Sequence, residues 1–345
     1  MSELRINNIT DRVGSSGPII AGVSTVSSTS HMVMPSGPTE MRGGRGRCVA
    51  AGGASPSYLS SCEKVEIATT GNATDFGDLS GVRAAMDGCS SSTRGVIGGG
   101  GTPSNTSIIE YFTMSSEGGA NDFGDLTFAR QYVASANSST RGLFMNSYSP
   151  KTNSIEFITI ATTGNSSDFG DSTAARQADT GTSSPTRAVV PGGEGQAGNS
   201  HNPNANPASP FAENLIDFVT IATLGNAQDF GDRSVSGWGV GSNGNSTRGL
   251  FFGVTPSRQN IIDFITIAAK GNSTDFGDLL QGNGYLSGAS SQTRSVMVGG
   301  TTPSTINVIQ FVTISTTGDA TDFGDLITQR ARAAVFSDSN GGLGD

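Results

Sequence analysis

Twelve of the acidic residues that could do chemistry recur in pairs. The tetrapeptide Asp-Phe-Gly-Asp occurs six times and sets two carboxylates three residues apart. It begins at Asp75, Asp122, Asp168, Asp229, Asp275 and Asp322. Carboxylate oxygens suit Ca²⁺, although calcium loops usually supply acids at alternating positions. We therefore expect no metal and no other cofactor, and a calcium site at these pairs is the alternative left open.

An arginine recurs with the same period and opens a short predicted strand. It stands at Arg47, Arg94, Arg141, Arg187, Arg248 and Arg294. Ion pairs between these arginines and the recurring acids are one interpretation, and buried pairs of this kind would specify the fold more than stabilise it. A ring of arginines that binds an anionic sugar is the functional alternative.

Acid–base and nucleophilic catalysis find little support in the sequence. His31 and His201 are the only histidines, and neither lies in the regular repeat. No Ser/His/Asp or Cys/His arrangement can be assembled, and every unit carries the same acids, whereas paired catalytic carboxylates need different environments. We expect that the chain is not an enzyme. The single tryptophan, Trp238, is interpreted as core filling, with a sugar-stacking platform as the alternative.

The spacing of both markers establishes a repeat. Successive Asp-Phe-Gly-Asp copies lie 47, 46, 61, 46 and 47 residues apart. Four short strands and their Ser-, Gly-, Asn- and Pro-rich turns fit such a unit. The third strand is apolar on both faces: Val308 and Val312 point one way, and Ile309 and Phe311 the other. Both faces must be covered, and a blade between two neighbouring blades of a β-propeller meets that demand.

The units resemble kelch repeats, which combine a Gly pair, a strand aromatic, a Trp and a trailing Arg. The Gly residues are Gly52–Gly53, Gly98–Gly101, Gly192–Gly193 and Gly299–Gly300, and the strand aromatics are Tyr111, Phe157, Phe218, Phe264 and Phe311. Phenylalanines replace the Trp at Phe76, Phe123, Phe169, Phe230, Phe276 and Phe323, and Arg83, Arg130, Arg176 and Arg330 follow. The third and fifth units lack the Gly pair, and the fourth and fifth lack the trailing Arg.

The resemblance covers residues 41–345 and implies an all-β, six-bladed propeller with four antiparallel strands per blade. The first unit begins at its second strand, so residues 332–338 are predicted to complete blade one. The six phenylalanines of Asp-Phe-Gly-Asp are predicted to form a structural core between blades. Cys48, Cys62 and Cys89 are odd in number and lack metal-ligand spacing, which favours a buried, apolar role.

Residues 1–40 lie outside the repeat and are predicted to form an extended attachment arm or hairpin. Its apolar stretch contains the candidate anchor residues Ile19, Ile20, Val23 and Val26. The segment GPIIAGVSTVSSTSHMVMPSGPTEMR, together with TRGVIGG and TIATTGNATDFGDL, resembles tail-associated structural proteins of marine, cyanophage-like bacteriophages. That resemblance implies a virion component with other virion proteins as partners.

The fourth unit carries an insertion, residues 193–213, between its second and third strands. Gly193, His201, Asn204 and Phe211 mark this candidate binding loop. It shares one face with the other second-to-third loops, which vary between units, whereas the third-to-fourth loops are nearly identical. Variable loops on a rigid scaffold usually carry binding. A module that binds a host-surface glycan or protein is therefore the alternative to a purely structural role.

Charge and hydropathy restrict the partners further. The net charge of −9 disfavours nucleic acid. No apolar run is long enough to span a membrane, and the N-terminal residues lack the pattern of a secretion signal. We expect a protein that folds in the host cytoplasm and then joins the virion.

Overall fold

The repeat unit predicted from the sequence is a four-stranded antiparallel sheet, and six such sheets form a closed ring. The computed structural model describes residues 46–177, 180–195 and 211–339. The segment 1–40, with its candidate anchor residues, lies outside the described residues, as do His201 and Asn204. The predicted all-β, six-bladed β-propeller is confirmed.

The strands of each blade are numbered from the propeller axis outwards. The first strands of blades one to six are Ala334–Ser337, Asp87–Ser90, Ala134–Asn137, Thr182–Ser183, Gly241–Gly244 and Ser287–Ser290. The second strands are Arg47–Ala51, Arg94–Gly98, Arg141–Tyr148, Arg187–Gly195, Arg248–Phe252 and Arg294–Val298. In blade four, Arg176–Gln177 also pairs with the far end of the second strand.

The two outer positions repeat with similar regularity. The third strands are Ser61–Glu66, Ser104–Thr113, Lys151–Thr159, Phe211–Thr220, Ile261–Thr266 and Val308–Thr313. The fourth strands are Thr74–Asp78, Asn121–Arg130, Ser167–Asp171, Gln228–Asp232, Thr274–Asp278 and Thr321–Asp325. Short extra strands in the loops are Ala54–Ser55, Ser57–Tyr58, Gly101–Thr102, Thr301–Thr302 and Ser304–Thr305. The described residues contain no helix that could span a membrane.

Blade one is assembled from both ends of the described chain. Its first strand, Ala334–Ser337, pairs antiparallel with Arg47–Ala51, with Cys48 opposite Ser337 and Ala51 opposite Ala334. The Asp338 carboxylate extends this pairing, because one of its oxygens accepts hydrogen bonds from the backbone N–H groups of Gly46 at 2.9 Å and Arg47 at 2.8 Å. The ring therefore closes with four strands in every blade.

The hydrophobic core lies between the blades rather than within them. It divides into six clusters, each shared by two neighbouring blades. The cluster at the closing interface joins Cys48 and Val65 of blade one to Val296, Ile309 and Phe323 of blade six. Because both faces of each sheet meet a neighbour, both faces of the third strand are apolar, as the sequence pattern indicated.

The loops divide between two faces of the ring. Strands alternate in direction, so the turns between first and second strands and between third and fourth strands share one face, here called the constant face. The loops between second and third strands and those leading to the next first strand share the other, here called the variable face. Gly46 and Ser339, where the described chain begins and ends, both lie on the constant face.

Candidate binding face

The Asp-Phe-Gly-Asp strands join each blade to the next. The Gly164 N–H of blade three donates to the carbonyl of Phe123 in blade two at 2.7 Å, and the Ser166 N–H donates to the carbonyl of Asp125 at 2.9 Å. Equivalent pairs of bonds occur at all six interfaces. Gly124 has φ +144°, and a Cβ there would lie 2.5 Å from the Gly164 carbonyl. The motif is thus an interblade latch that requires glycine.

The latch places the predicted phenylalanines in the core. Phe76, Phe123, Phe169, Phe230, Phe276 and Phe323 are each at most 3% exposed. In blades two to six the ring packs edge-on against the third-strand aromatic, for example Phe169 against Phe157 at 6.2 Å between centroids. Blade one has Lys64 at that position, and Phe76 packs instead against Phe112 of blade two at 5.5 Å. The twelve acids of the motif are all exposed on the outer strands.

Five of the six recurrent arginines form no ion pair among the described residues, contrary to the ion-pair interpretation. In blade two, the Arg94 guanidinium lies 4.4 Å from the Tyr111 ring centroid and donates to the carbonyl of Ile160 in blade three at 3.0 Å. The same stack and the same bond to the next blade occur at Arg141, Arg187, Arg248 and Arg294. Among the described residues only Arg47 of this set forms an ion pair, with Glu66 at 3.5 Å. Arg47 is buried and the other five are part-buried on the constant-face side, where each guanidinium contacts an aromatic ring and donates to a carbonyl of the next blade.

A second set of arginines forms buried ion pairs that sequence reasoning missed. The trailing arginine of one unit reaches the acid before the third-strand aromatic of the next blade, as in Arg130–Glu156 at 2.8 Å and Arg176–Asp217 at 2.9 Å. Arg83–Glu110 and Arg330–Glu63 are equivalent pairs. The fourth unit uses Arg233, four residues earlier, which lies 3.5 Å from Asp263. Burial lowers the pKa of Arg233 to about 10 and raises the pKa of Asp263.

The fifth interface replaces both charges of this pair together. Asn283 stands in the arginine position and Gln310 in the acid position. The Asn283 amide donates to the carbonyl of Gly299 at 2.9 Å, and the Gln310 side-chain oxygen accepts from the Leu280 N–H at 2.9 Å. Because both residues are neutral amides, the interface contains no buried charge without a partner at this site.

The three cysteines are buried, and no other cysteine is present to make an even set. Burial raises the pKa of the Cys48 and Cys62 thiols to about 12, and it also raises the pKa of the Cys89 thiol. These thiols have the small apolar environment expected from the sequence. No group of three or more His, Cys, Asp or Glu side chains within the described ranges could hold a metal ion.

Tyrosine and tryptophan, unlike phenylalanine, concentrate on the variable face. Tyr58, Tyr132 and Tyr285 lie in its loops, as does Trp238, the only tryptophan, and Tyr148 ends a second strand there. Tyr111 is the one tyrosine elsewhere. The strands bury phenylalanines. The tyrosines and the tryptophan of this face are amphipathic, because their rings can stack while their O–H or N–H groups form hydrogen bonds.

A ring of backbone hydrogen bonds runs around the axis on this face through blades one, two, three, five and six. The residues just before the first strands of these five blades have positive φ, namely Ala85, Tyr132, Gly239, Tyr285 and Arg332. The Tyr132 N–H donates to the Ala85 carbonyl at 2.7 Å, and the Arg332 N–H donates to the Tyr285 carbonyl at 3.0 Å. Ala85 and Tyr285 continue the pattern by donating to Arg332 and Gly239. The left-handed conformation is thus imposed by the ring.

The side chains of this ring form the axial mouth, defined here by Tyr132, Tyr285, Arg332, Tyr148 and Trp238. Tyr132 and Tyr285 come from opposite blades and meet with their centroids 6.3 Å apart. The Arg332 guanidinium lies 4.2 Å from the Tyr285 centroid and 5.4 Å from that of Tyr132. Tyr148 packs edge-on against Tyr132 at 5.6 Å, and the Trp238 indole N–H donates to the Tyr285 hydroxyl at 3.0 Å. Trp238 is half-buried and belongs to this cluster rather than to the core.

The predicted binding loop borders the axial mouth in its described part. Gly193 lies in the second strand of blade four and donates its N–H to the carbonyl of Gly237, next to Trp238. Lys151 of blade three reaches across to Glu194 at 3.0 Å, and its ammonium lies 5.4 Å from the Tyr148 ring. Phe211 begins the third strand of blade four, on the other side of the insertion.

Below the axial mouth, the axis is narrow and polar. Asp87, Ser135, Asn137, Thr182 and Ser242 line it. The Asp87 carboxylate accepts from the backbone N–H groups of Ser135 at 2.8 Å and Gly88 at 2.9 Å. Burial nevertheless raises the pKa of Asp87 to about 8, which favours its neutral form.

Carboxylates are unevenly spread over the variable face. The second acid of each Asp-Phe-Gly-Asp motif lies at or near the rim of this face, where the fourth strand leaves the blade, whereas Glu194 and Glu213 lie nearer the axial mouth. Glu194 is paired with Lys151, and Glu213 is buried. Arg258 and Arg332 have no ion-pair partner among the described residues. The axial mouth therefore contains an arginine, Arg332, that has no ion-pair partner among the described residues, although the net charge of the chain is −9.

No family model matches the chain, and no curated protein matches it significantly.

Proposed function

We propose that the chain is a structural protein of a bacteriophage virion, tail- or fibre-associated, in which the propeller is a rigid body held to other virion proteins by the segment 1–40. The resemblance of its sequence to phage tail proteins supplies the setting. The rigidity follows from six interfaces built alike, each with a latch and a shared core.

The position of the two described ends carries this proposal. Gly46 and Ser339 both lie on the constant face, and Asp338 ties the two ends together. A propeller attached through residues that precede Gly46 is therefore held by its constant face. Its variable face, with the loops that differ between blades, then points away from the particle.

A second function is favoured by the axial mouth. A rigid scaffold that carries half-exposed tyrosines, a tryptophan and arginines without ion-pair partners on its outward face suits recognition of a host-surface glycan or protein. Building the particle and contacting the host are compatible roles, because they use opposite faces.

Electron microscopy of intact particles tests the structural role. We expect a six-bladed density with the constant face against the particle and the variable face outward. Particles that lack the chain would refute the virion assignment, and a variable face buried against another virion protein would refute the orientation.

A deletion variant tests the arm separately. Removal of residues 1–38 leaves every described strand intact, so the truncated propeller should keep its thermal unfolding midpoint and fail to join the particle. A truncated chain that unfolds, or that still assembles normally, would contradict anchoring by this segment.

A further inference from the structure

We propose that the axial mouth is a binding site for carboxylated oligosaccharides, with Arg332 as the residue that recognises the carboxylate. This inference rests on the outward recognition role of the variable face and specifies its ligand. It is carried by the arrangement of Tyr132, Tyr285, Trp238 and Arg332, which the repeat does not require.

The ring of backbone hydrogen bonds does not need large side chains. Ala85 and Gly239 occupy the same ring position with φ of 59° and 64°, and they make the same kind of bond. Tyr132, Tyr285 and Arg332 adopt that left-handed conformation, which costs strain in residues with a long side chain. Their size therefore serves a purpose other than closing the ring, and their side chains are what the axial mouth presents.

Arg332 is arranged as an anion receptor. Two tyrosine rings hold its guanidinium at 4.2 and 5.4 Å from their centroids, so its orientation is fixed before a ligand arrives. It is half-exposed and has no carboxylate partner among the described residues. A planar guanidinium binds a carboxylate through two parallel hydrogen bonds.

The aromatics point to a saccharide rather than to an acidic peptide. Tyr148, Tyr132, Tyr285 and Trp238 form a strip across the axis, and its half-exposed rings offer flat surfaces on which the apolar faces of sugar rings stack. Within the described residues, Tyr132, Tyr285 and Arg332 line a cavity at the mouth that is too narrow for a large peptide side chain. The first strand of each blade contacts the first strands of the adjacent blades, and the latches cover the fourth strands at the Asp-Phe-Gly-Asp motif. A peptide therefore has no open sheet edge at these positions to which it could add a strand.

Trp238 gives a direct readout of the site. It is the only tryptophan, and its indole N–H bonds to Tyr285, so its fluorescence reports on the axial mouth alone. The full chain is titrated with tetragalacturonate and 3′-sialyllactose, with the neutral maltotetraose and lactose as matched sugars, and with tetraglutamate as the acidic peptide.

The expected result is a saturable change in Trp238 emission with at least one carboxylated sugar, with binding at least about tenfold weaker for its neutral counterpart. Arg332→Gln should remove that preference by a loss of at least about tenfold, whereas Arg258→Gln, an exposed arginine in a loop of the same face, should leave the affinity within about twofold. Thermal unfolding midpoints of both variants should match that of the unchanged chain, which separates ligand loss from unfolding.

Three outcomes would overturn the proposal: no saturable change with either carboxylated sugar, equal affinity for neutral and carboxylated sugars, or tetraglutamate binding as tightly as the sugars. If the Arg332→Gln variant keeps its affinity, Arg332 is not the residue that recognises the carboxylate. If the variable face points outward on the particle and these titrations fail, the structural proposal stands without this ligand class. If the particle lacks the chain and the titrations succeed, the ligand proposal stands without the virion assignment.

Discussion

Arg83 of blade one and Glu110 of blade two form a buried ion pair whose counterpart two hundred residues later is the neutral pair Asn283 and Gln310. The Arg83 guanidinium also donates to the carbonyl of Gly99, and Asn283 donates to Gly299 at the equivalent position. The protein thus contains both the charged and the neutral version of one interface contact.

Transfer of the neutral version to the charged interface should be tolerated. Glu110→Gln alone leaves Arg83 buried without its partner and should lower the free energy of unfolding by about 3–5 kcal/mol. Arg83→Asn combined with Glu110→Gln should recover most of that loss, because it reproduces the contacts of Asn283 and Gln310. Urea unfolding of both single variants and the double variant gives the coupling energy. Additive losses would show that the two positions act independently.

Gly124, the latch glycine of blade two, should not tolerate even the methyl side chain of alanine. At Gly124, φ is +144° and a Cβ would lie 2.5 Å from the backbone of Gly164. We expect Gly124→Ala to lower the free energy of unfolding by more than about 2 kcal/mol, since backbone strain alone costs ~1–3 kcal/mol. Gly81→Ala is the matched control, because a Cβ there meets nothing within 4 Å. Similar losses for both variants would contradict the role of close interblade approach.

The core role of the repeat phenylalanine is testable in one blade. Phe169 is 2% exposed and packs against Phe157. Phe169→Ala should cost about 3–5 kcal/mol because it leaves a cavity between blades three and four. Asp168→Asn changes the exposed neighbouring residue and should alter thermal unfolding little. A small loss for Phe169→Ala would mean that the interface does not depend on this ring.

Asp87 should make the propeller less stable as the pH rises. Its pKa is about 8 in the folded chain against an ordinary value of 3.8, so the folded state binds the proton more tightly than the unfolded state. Its contribution to stability is complete below pH 4 and is lost as the pH rises towards 8, at no more than about 1.4 kcal/mol per pH unit. Urea unfolding at pH 5 and pH 8 should show this decline, and Asp87→Asn should flatten it. The exposed Asp75→Asn should leave the decline unchanged, and an equal slope in Asp87→Asn would assign the decline to other groups.

The architecture was predictable because two markers, Asp-Phe-Gly-Asp and the recurrent arginine, share one period. The role of the trailing arginines was not, because Arg83 and Glu110 belong to different units and a unit examined by itself shows no partner. The acid before each third-strand aromatic was the available signal. The recurrent arginines stack on aromatics because Arg94 pairs with Thr113 in the sheet, and Tyr111, two residues along the same face, is within reach of its side chain. The meeting of Tyr132 and Tyr285 across the axis depends on ring closure, which no local pattern encodes.

The join between the two described ends in blade one has a consequence for synthesis. Until Ala334–Ser337 has left the ribosome, the backbone groups of Cys48–Ala51 that pair with it have no partner, although the other five blades can already form. A nascent or prematurely ended chain therefore carries an open strand edge, which invites pairing with a second chain. Contacts between residues nearly the whole chain apart also form slowly. Synthesis of Ala334–Ser337, rather than the folding of any earlier blade, therefore sets the moment at which the open edge of Arg47–Ala51 can be covered.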